Sequence, residues 1–514
     1  MKNQMFQKFL TLAMAAVMLL GCVGMLAGCS GDKDPFAGLT DAEYMKAVEK
    51  ANMADAVEGL TAFYGALGKT DTKLETNAKV DYTVQLGDMI IDMLEESYQE
   101  SMGSAMDFSF LSNIGFQEEI TVKGERMKEN IALLLNNQKI LSATLLMDMI
   151  NNMEYMQIPE LNEDFIQINM NEMAGAGSGM NVADITGRLS EVMKKLPSAE
   201  TFGAMLNRYI DIFLDNLKNV TRSTVTLEEG DLQQECTAVT VKIYEEDAKA
   251  VVKAILETAK ADQDLKKAID AISELADQDL YPDFLQGIED ALAEINEPED
   301  DDDDDAMEYI EIVTYVDKEH NIIGREFRSD DAEDVPVVYY TVTSGENFAF
   351  KSAAEGFAVT GKGTKKDGKT SATYKLNVGG TDYLTMGVKD LMATEQELTG
   401  DIRLEPTAQL LSQMFGSTSG LPFADLALDI KLAADGVQLK VLGNDALIVG
   451  MDVKVNVKET ADGDISFPSY AVNVNDQETM QEWVNSMDVT AVLNNLKAAG
   501  VPQELIDMIL GSIG

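Results

Sequence analysis

The sequence predicts an α+β fold, in which large antiparallel sheets are covered by helices and a second, mostly-β part follows. Three observations predict it. Apolar side chains fall on alternate positions at 74–86, 374–378 and 449–457, the pattern of strands with one buried face. Apolar positions at helical spacing fill 40–67 and 202–217, and three further helices are expected between 245 and 296. From 307 to 458 turn signals arrive at short intervals, and Asp367-Gly368, Asp435-Gly436 and Asp462-Gly463 read as hairpin turns.

The first element is an export signal. Residues 1–28 contain Lys2 and Lys8, no acidic residue, and an apolar run from 9 to 26. A positive start before a short apolar stretch is the pattern of a secretory leader. It ends in Leu26-Ala27-Gly28-Cys29, followed by polar residues 30–34. This resembles the lipobox of bacterial lipoproteins, where small residues let a peptidase cut before a lipid-bearing cysteine. The resemblance implies that 1–28 is removed and that Cys29 carries acyl chains, which hold a protein durably on a bilayer when two or more are present. Leu19-Leu20-Gly21-Cys22 fits less well, because Leu20 is bulky. An ordinary secretory leader and an uncleaved anchor are the alternatives; the short span and Gly21, Gly24 and Gly28 weigh against the anchor.

A tether over 29–39 leads to a helix capped by Thr40, the strand at 74–86 and an amphipathic helix over 88–102. A meander then fills 117–170, with strands at 119–126, 128–136, 139–149 and 165–170 and a proline-marked edge strand at 153–161. Gly175, Gly177 and Gly179 break the pattern. Two helices follow, the second presenting Phe202, Met205, Leu206, Tyr209, Ile210, Phe213 and Leu217 on one face. A hairpin over 220–244 turns at Glu229-Gly230-Asp231, and Asp262 and Asp277 are suited to cap two of the next three helices. Six consecutive aspartates, 300–305, lie in an acidic linker over 297–306; like charges repel one another and keep such a run solvated. The second part, 307–514, is read as another antiparallel sheet interrupted by a helix at 406–415. It closes with helices at 476–498 and 501–511 and with Trp483 as a buried anchor. The expected domains are therefore 40–296 and 307–514.

Composition limits the chemistry. The apolar fraction of 45% supports sizeable cores. A net charge of −49 repels nucleic acid and anionic head groups, so a lipid rather than charge must supply membrane affinity. After the expected processing Cys29 and Cys236 remain, and no internal disulfide is available to an acylated Cys29. Cys236 reads as a small buried hydrophobe. The single histidine, His320, sits in a turn and reads as solvated. This inventory excludes multi-histidine zinc sites and Ser-His or Cys-His catalysis, and no cofactor or metal is expected.

Two patterns invite stronger readings. Gly363-Thr364-Lys365-Lys366-Asp367-Gly368-Lys369-Thr370 matches a phosphate-loop pattern, but that motif needs a helix to follow, and here a strand is expected. Methionines are dense between 89 and 193. Met147, Met149, Met153, Met156 and Phe165 are candidates to line an apolar ligand cavity, with adaptable core filling and thioether copper binding as the alternatives.

The order of elements, a lipid-anchored start, a leading helix, a long meander and covering helices, with the strand end Tyr155…Pro159-Glu160-Leu161, resembles the LolA/LppX-like half-barrel lipoproteins. The resemblance implies an incompletely closed β-barrel whose concave face, under helices, accepts acyl chains. The expectation is a non-enzymatic lipoprotein on the outer face of a cell membrane that binds or carries a lipid or other apolar ligand. A structural or protein-interaction role in the envelope, with a fully packed sheet, is the alternative.

Overall fold

The computed structural model describes residues 36–67, 75–170, 192, 194–276, 278–296, 309–329, 335–394, 397–415, 423–458 and 464–513. In chain order the first elements are α1 (Asp41–Leu67), β1 (Glu75–Leu86), α2 (Asp88–Met102), β2 (Asn113–Lys123), β3 (Arg126–Leu135), β4 (Gln138–Asp148), β5 (Met153–Gln157) and β6 (Ile166–Asn169). Next come α3 (Ala199–Asp215), β7 (Val220–Glu229), β8 (Leu232–Tyr244), α4 (Glu245–Ala261), α5 (Gln263–Ala276) and α6 (Tyr281–Ile295). Eight strands follow: β9 (Tyr309–Val316), β10 (Ile322–Ser329), β11 (Val337–Ser344), β12 (Asn347–Ala354), β13 (Phe357–Lys366), β14 (Lys369–Val378), β15 (Thr381–Ala393) and β16 (Leu398–Pro406). The chain closes with α7 (Ala408–Phe415), β17 (Leu426–Ala433), β18 (Gly436–Gly443), β19 (Ala446–Lys458), β20 (Val472–Asn473), α8 (Gln477–Asn485), α9 (Thr490–Ala498) and α10 (Gln503–Ile513). This is a mixed α+β protein dominated by antiparallel strands.

The division into compact units differs from the expected 40–296 and 307–514. The described residues of 1–70, 184–364 and 376–381 form one unit, and those of 71–183, 365–375 and 382–514 form the other. The second unit draws on both halves of the chain because β1 pairs with β19, from Asn77↔Lys458 to Leu86↔Val449, and the first does so because β8 pairs with β9. The expected linker over 297–306 and Asp277 lie outside the described residues, as does Asp462-Gly463.

In the first unit, β7 to β13 pair in sequence as an antiparallel sheet. Helices α1 and α3 cover one face. Tyr44, Met45 and Val48 of α1 meet Leu214 and Leu217, and both sets pack on Val239, Val241 and Val316. On the other face Tyr340 and Val342 of β11 pack back onto Leu227, Cys236 and Ala238 of the β7–β8 hairpin. The central strands are thus buried on both sides. A buried ion pair ties α1 to the sheet: Arg325 donates to both carboxylate oxygens of Glu49 at 2.7 Å and to Thr314 Oγ1 at 2.8 Å. Burial works against the Arg325 charge, but Glu49 outweighs it and holds the guanidinium above its ordinary pKa.

The hairpin at 220–244 forms as expected, turning at Gly230 with φ 58°. Cys236 is a free, buried thiol, pushed up to about 11 chiefly by burial. The phosphate-loop pattern is a hairpin, as its strand-like sequel implies. Asp367 and Gly368 take φ of 51° and 76° between β13 and β14, a two-residue turn that needs left-handed backbone. At the second expected turn, Gly436 begins β18, and the loop falls one residue earlier, at 434–435. His320 departs from the solvated turn expected of it. Phe36 stacks on its ring at 4.1 Å, and Tyr44 Oη lies 3.0 Å from its Nδ1, because the turn folds against α1.

Asp262 caps α5 as its position suggests: its Oδ1 accepts from the amides of Asp264 (2.9 Å) and Leu265 (3.2 Å). Arg208 and Tyr209 of α3 donate to its other oxygen at 2.5 and 3.0 Å, which locks α3 to the α4–α5 corner. Burial opposes this charge, yet the amides and Arg208 prevail and the carboxyl lies below its ordinary value. Tyr209 is pushed up to about 12, by burial first and then by Asp262.

In the second unit, β15–β16–β17–β18–β19–β1–β2–β3–β4–β5–β6 pair antiparallel in that order, and short β20 adds in parallel to β6. Among the described residues the pairings do not close the sheet into a barrel. The meander expected over 117–170 is present, with β5 ending before Pro159. There Glu160 accepts from the amide and hydroxyl of Ser142 at 2.9 and 2.8 Å. Gly87 lets α2 leave β1 against β19, since a side chain there would meet the Leu447 carbonyl at 1.7 Å.

Candidate functional site

Directly opposed residues of an antiparallel pair share a face, so the register sorts the second unit's side chains. From β16 to β19, one face carries Ile402, Leu404, Leu428, Ile430, Val437, Leu439, Val441, Val449, Met451 and Val453. It continues through Val80, Tyr82 and Val84 of β1, Ile114, Phe116 and Ile120 of β2, and Ile131 and Leu133 of β3. The opposite face carries charge ladders such as Lys389↔Asp401, Arg403↔Asp429, Asp429↔Lys440 and Asp81↔Lys454. Period-2 alternation in the sequence has become a two-faced sheet.

Helices cover the apolar face at one end. Trp483 of α8 packs on Ile166 and Val472 beside Met156 and Ile168, and its Nε1 donates to the Asp164 carbonyl at 3.2 Å. Leu135 lies against Phe110, Val501 and Ile506 near α9 and α10. The middle of the face is different. Tyr82, Phe116, Leu133, Val437, Met451, Val455 and Val457 remain between 37% and 60% exposed. Tyr82 and Phe116 are neighbours with ring centroids 6.0 Å apart. Exposed apolar patches of this kind are uncommon on proteins that act alone. Covering each half-exposed side chain contributes on the order of 1 kcal/mol.

The first unit offers less. A cavity of about 20 Å³ beside Glu49 and Arg325 has room for about one water. An open groove of about 470 Å³ between α1 and α3 mixes Met53 and Val57 with Lys50, Glu58 and Glu200.

The residues singled out from methionine density do not line one surface. Met147, opposite Glu154, and Met156, opposite Leu145, are on the apolar face. Met153 pairs with Asp148 and so lies on the other face. Met149 follows the end of β4 and is 39% exposed in the turn. Phe165 precedes β6, where its carbonyl accepts from the Val472 amide at 2.8 Å. The exposed middle of the face comes instead from β18, β19, β1, β2 and β3. Alternation at 74–86 and 449–457 signalled two of those strands, but not that they are neighbours. Leu26, Ala27, Gly28 and Cys29 lie outside the described residues.

Among the described residues no helix is long and apolar enough to cross a membrane. No known protein family and no curated protein matches the chain.

Proposed function

We propose that this chain is a lipid-anchored, extracytoplasmic, non-enzymatic protein that binds or carries a hydrophobic ligand on the apolar sheet face of its second unit. The observation that carries the reading is the uncovered middle of that face, where aromatic and aliphatic side chains from five adjoining strands stay partly in water. Sheets with one apolar face are suited to long apolar ligands, because the paired inner strands supply a wide surface whose backbone polar groups are already bonded to one another. The open pairing and the helices over one end support the finer reading of a LolA/LppX-like incomplete barrel. The lipobox at 26–29 supports the anchor.

The test uses the full chain with Cys29→Ser, purified and extracted with organic solvent for mass spectrometry. Co-purifying lipid in stoichiometric amount is the expected result. Repeated lipid-free extracts would favour the envelope-interaction reading instead. For the anchor, Cys29→Ala is expected to release the protein from membranes and to abolish fatty-acid labelling; a variant that stays as firmly bound would overturn it.

A further inference from the structure

The apolar face of the second unit is nearly free of charge, and its exceptions share one sign. Over the paired positions from Leu384, Met386 and Val388 on β15 to Ile166 and Ile168 on β6, the charged side chains on this face are Glu118, Glu129 and Glu154. Glu118 faces Val80 and Ile131, Glu129 faces Ile120 and Leu145, and Glu154 faces Met147 and Ile168. Glu118 and Glu129 are therefore diagonal neighbours on adjacent strands, roughly 7–8 Å apart at the backbone and within reach of each other. Glu154 stands two strands further on, about 10 Å away laterally.

Among the described residues no lysine or arginine pairs with any of the three, whereas carboxylates on the opposite face pair across the ladders, as at Asp429 with Arg403. Partial burial, then Glu118, by its charge and by a side-chain hydrogen bond, and Glu154 push the Glu129 carboxyl above its ordinary value. An apolar surface does not gain from three acids that no cation neutralises; a ligand that brings the missing positive charge does. The exposed aromatic pair points the same way. Phe116 lies two positions from Glu118 on the same strand face, with Tyr82 opposite it, and aromatic rings attract ammonium groups. No three His, Cys, Asp or Glu side chains among the described residues are grouped closely enough for a metal ion, so the spacing fits a larger organic cation.

We propose that the occupant of this face is an amphiphile with a cationic ammonium head: its chain lies along β19, β1 and β2, and its head is held by Glu118, Glu129 and Glu154 beside Phe116. This rests on the apolar-ligand reading above and adds the head group. The ammonium donates to the carboxylate oxygens, while the net charge of −49 disfavours anionic head groups over the whole molecule.

The test measures binding of dodecylamine, dodecanol and dodecanoate to the full chain carrying Cys29→Ser, by calorimetry below their micelle concentrations. Dodecylamine is expected to bind about tenfold more tightly than dodecanol, and dodecanoate more weakly than either. Combining Glu118→Gln, Glu129→Gln and Glu154→Gln is expected to bring dodecylamine down to the dodecanol affinity and to leave dodecanol unchanged, which also shows that the altered face is intact. If dodecylamine binds no better than dodecanol, or the triple substitution does not weaken it, the cationic head is overturned while the apolar site stands. If none of the three binds, both readings fall.

Discussion

Strands β8 and β9 of the first unit are buried on both faces, by α1 and α3 on one side and by β11 on the other, whereas β19, β1 and β2 of the second unit keep one apolar face partly in water. The strands are alike in composition; what differs is the cover. In the first unit the cover is specified by a polar contact as well as by packing, since Glu49 of α1 meets Arg325 of β10 inside the core. In the second unit Trp483 packs at β6 and the last two helices pack at the Leu135 end of β3, which leaves the middle open. Apolar alternation alone therefore does not tell whether a sheet face is core or binding surface; the difference lies in which helices return to it.

Three experiments probe that contrast. The largest expected effect is Glu49→Ala, which leaves the Arg325 charge buried and should cost about 3–5 kcal/mol in the unfolding of the first unit. Replacing both partners, Glu49→Leu with Arg325→Met, should recover most of that in chemical denaturation. A recovery that fails would show that the pair does more than hold α1 in place. A matched pair of methionines comes next. Met45, 7% exposed, should cost about 2–5 kcal/mol on Met45→Ala, against under about 0.5 kcal/mol for Met451→Ala on the open face. Equal losses in calorimetry would mean that the open face is core after all.

The last is Asp262→Asn, expected to cost about 1–2 kcal/mol at neutral pH by removing the charge that Arg208 and the start of α5 meet. Its folded carboxyl lies below the ordinary 3.8, so its contribution is complete above that value and is lost as pH falls through the lower folded one. The variant should flatten that part of the acid limb, and an unchanged limb would contradict the assignment.

The contrast also explains what could be read from the chain beforehand. The Asp262 cap and the Asp367-Gly368 turn were legible because their chemistry is local: an acid ahead of a helix, and two residues that tolerate left-handed backbone. The one-sided strands at 74–86 and 449–457 were legible from their period. Their union was not, because pairing between Tyr82 and Val453 leaves no mark in either segment. The same blindness placed His320 in water, although Phe36 and Tyr44 enclose it, and grouped Met153 with Met147, which the register puts on opposite faces. Glu118, Glu129 and Glu154 were lost among 89 acidic residues until the register put them together on one face.

The pairing of β1 with β19 has a consequence for synthesis. Strand β1 meets β2 within a few dozen residues, but its other flank waits roughly 370 residues for its partner, a separation that slows folding. Until then β1 presents bare amides and carbonyls along a sheet whose neighbouring side chains are largely apolar, an edge on which other chains can assemble. The nascent protein is thus most adhesive in the interval before residue 458 emerges. Anything that shields this edge then, a chaperone or delivery across a membrane before β1 can dock, should govern the yield of intact protein more than the final stability does.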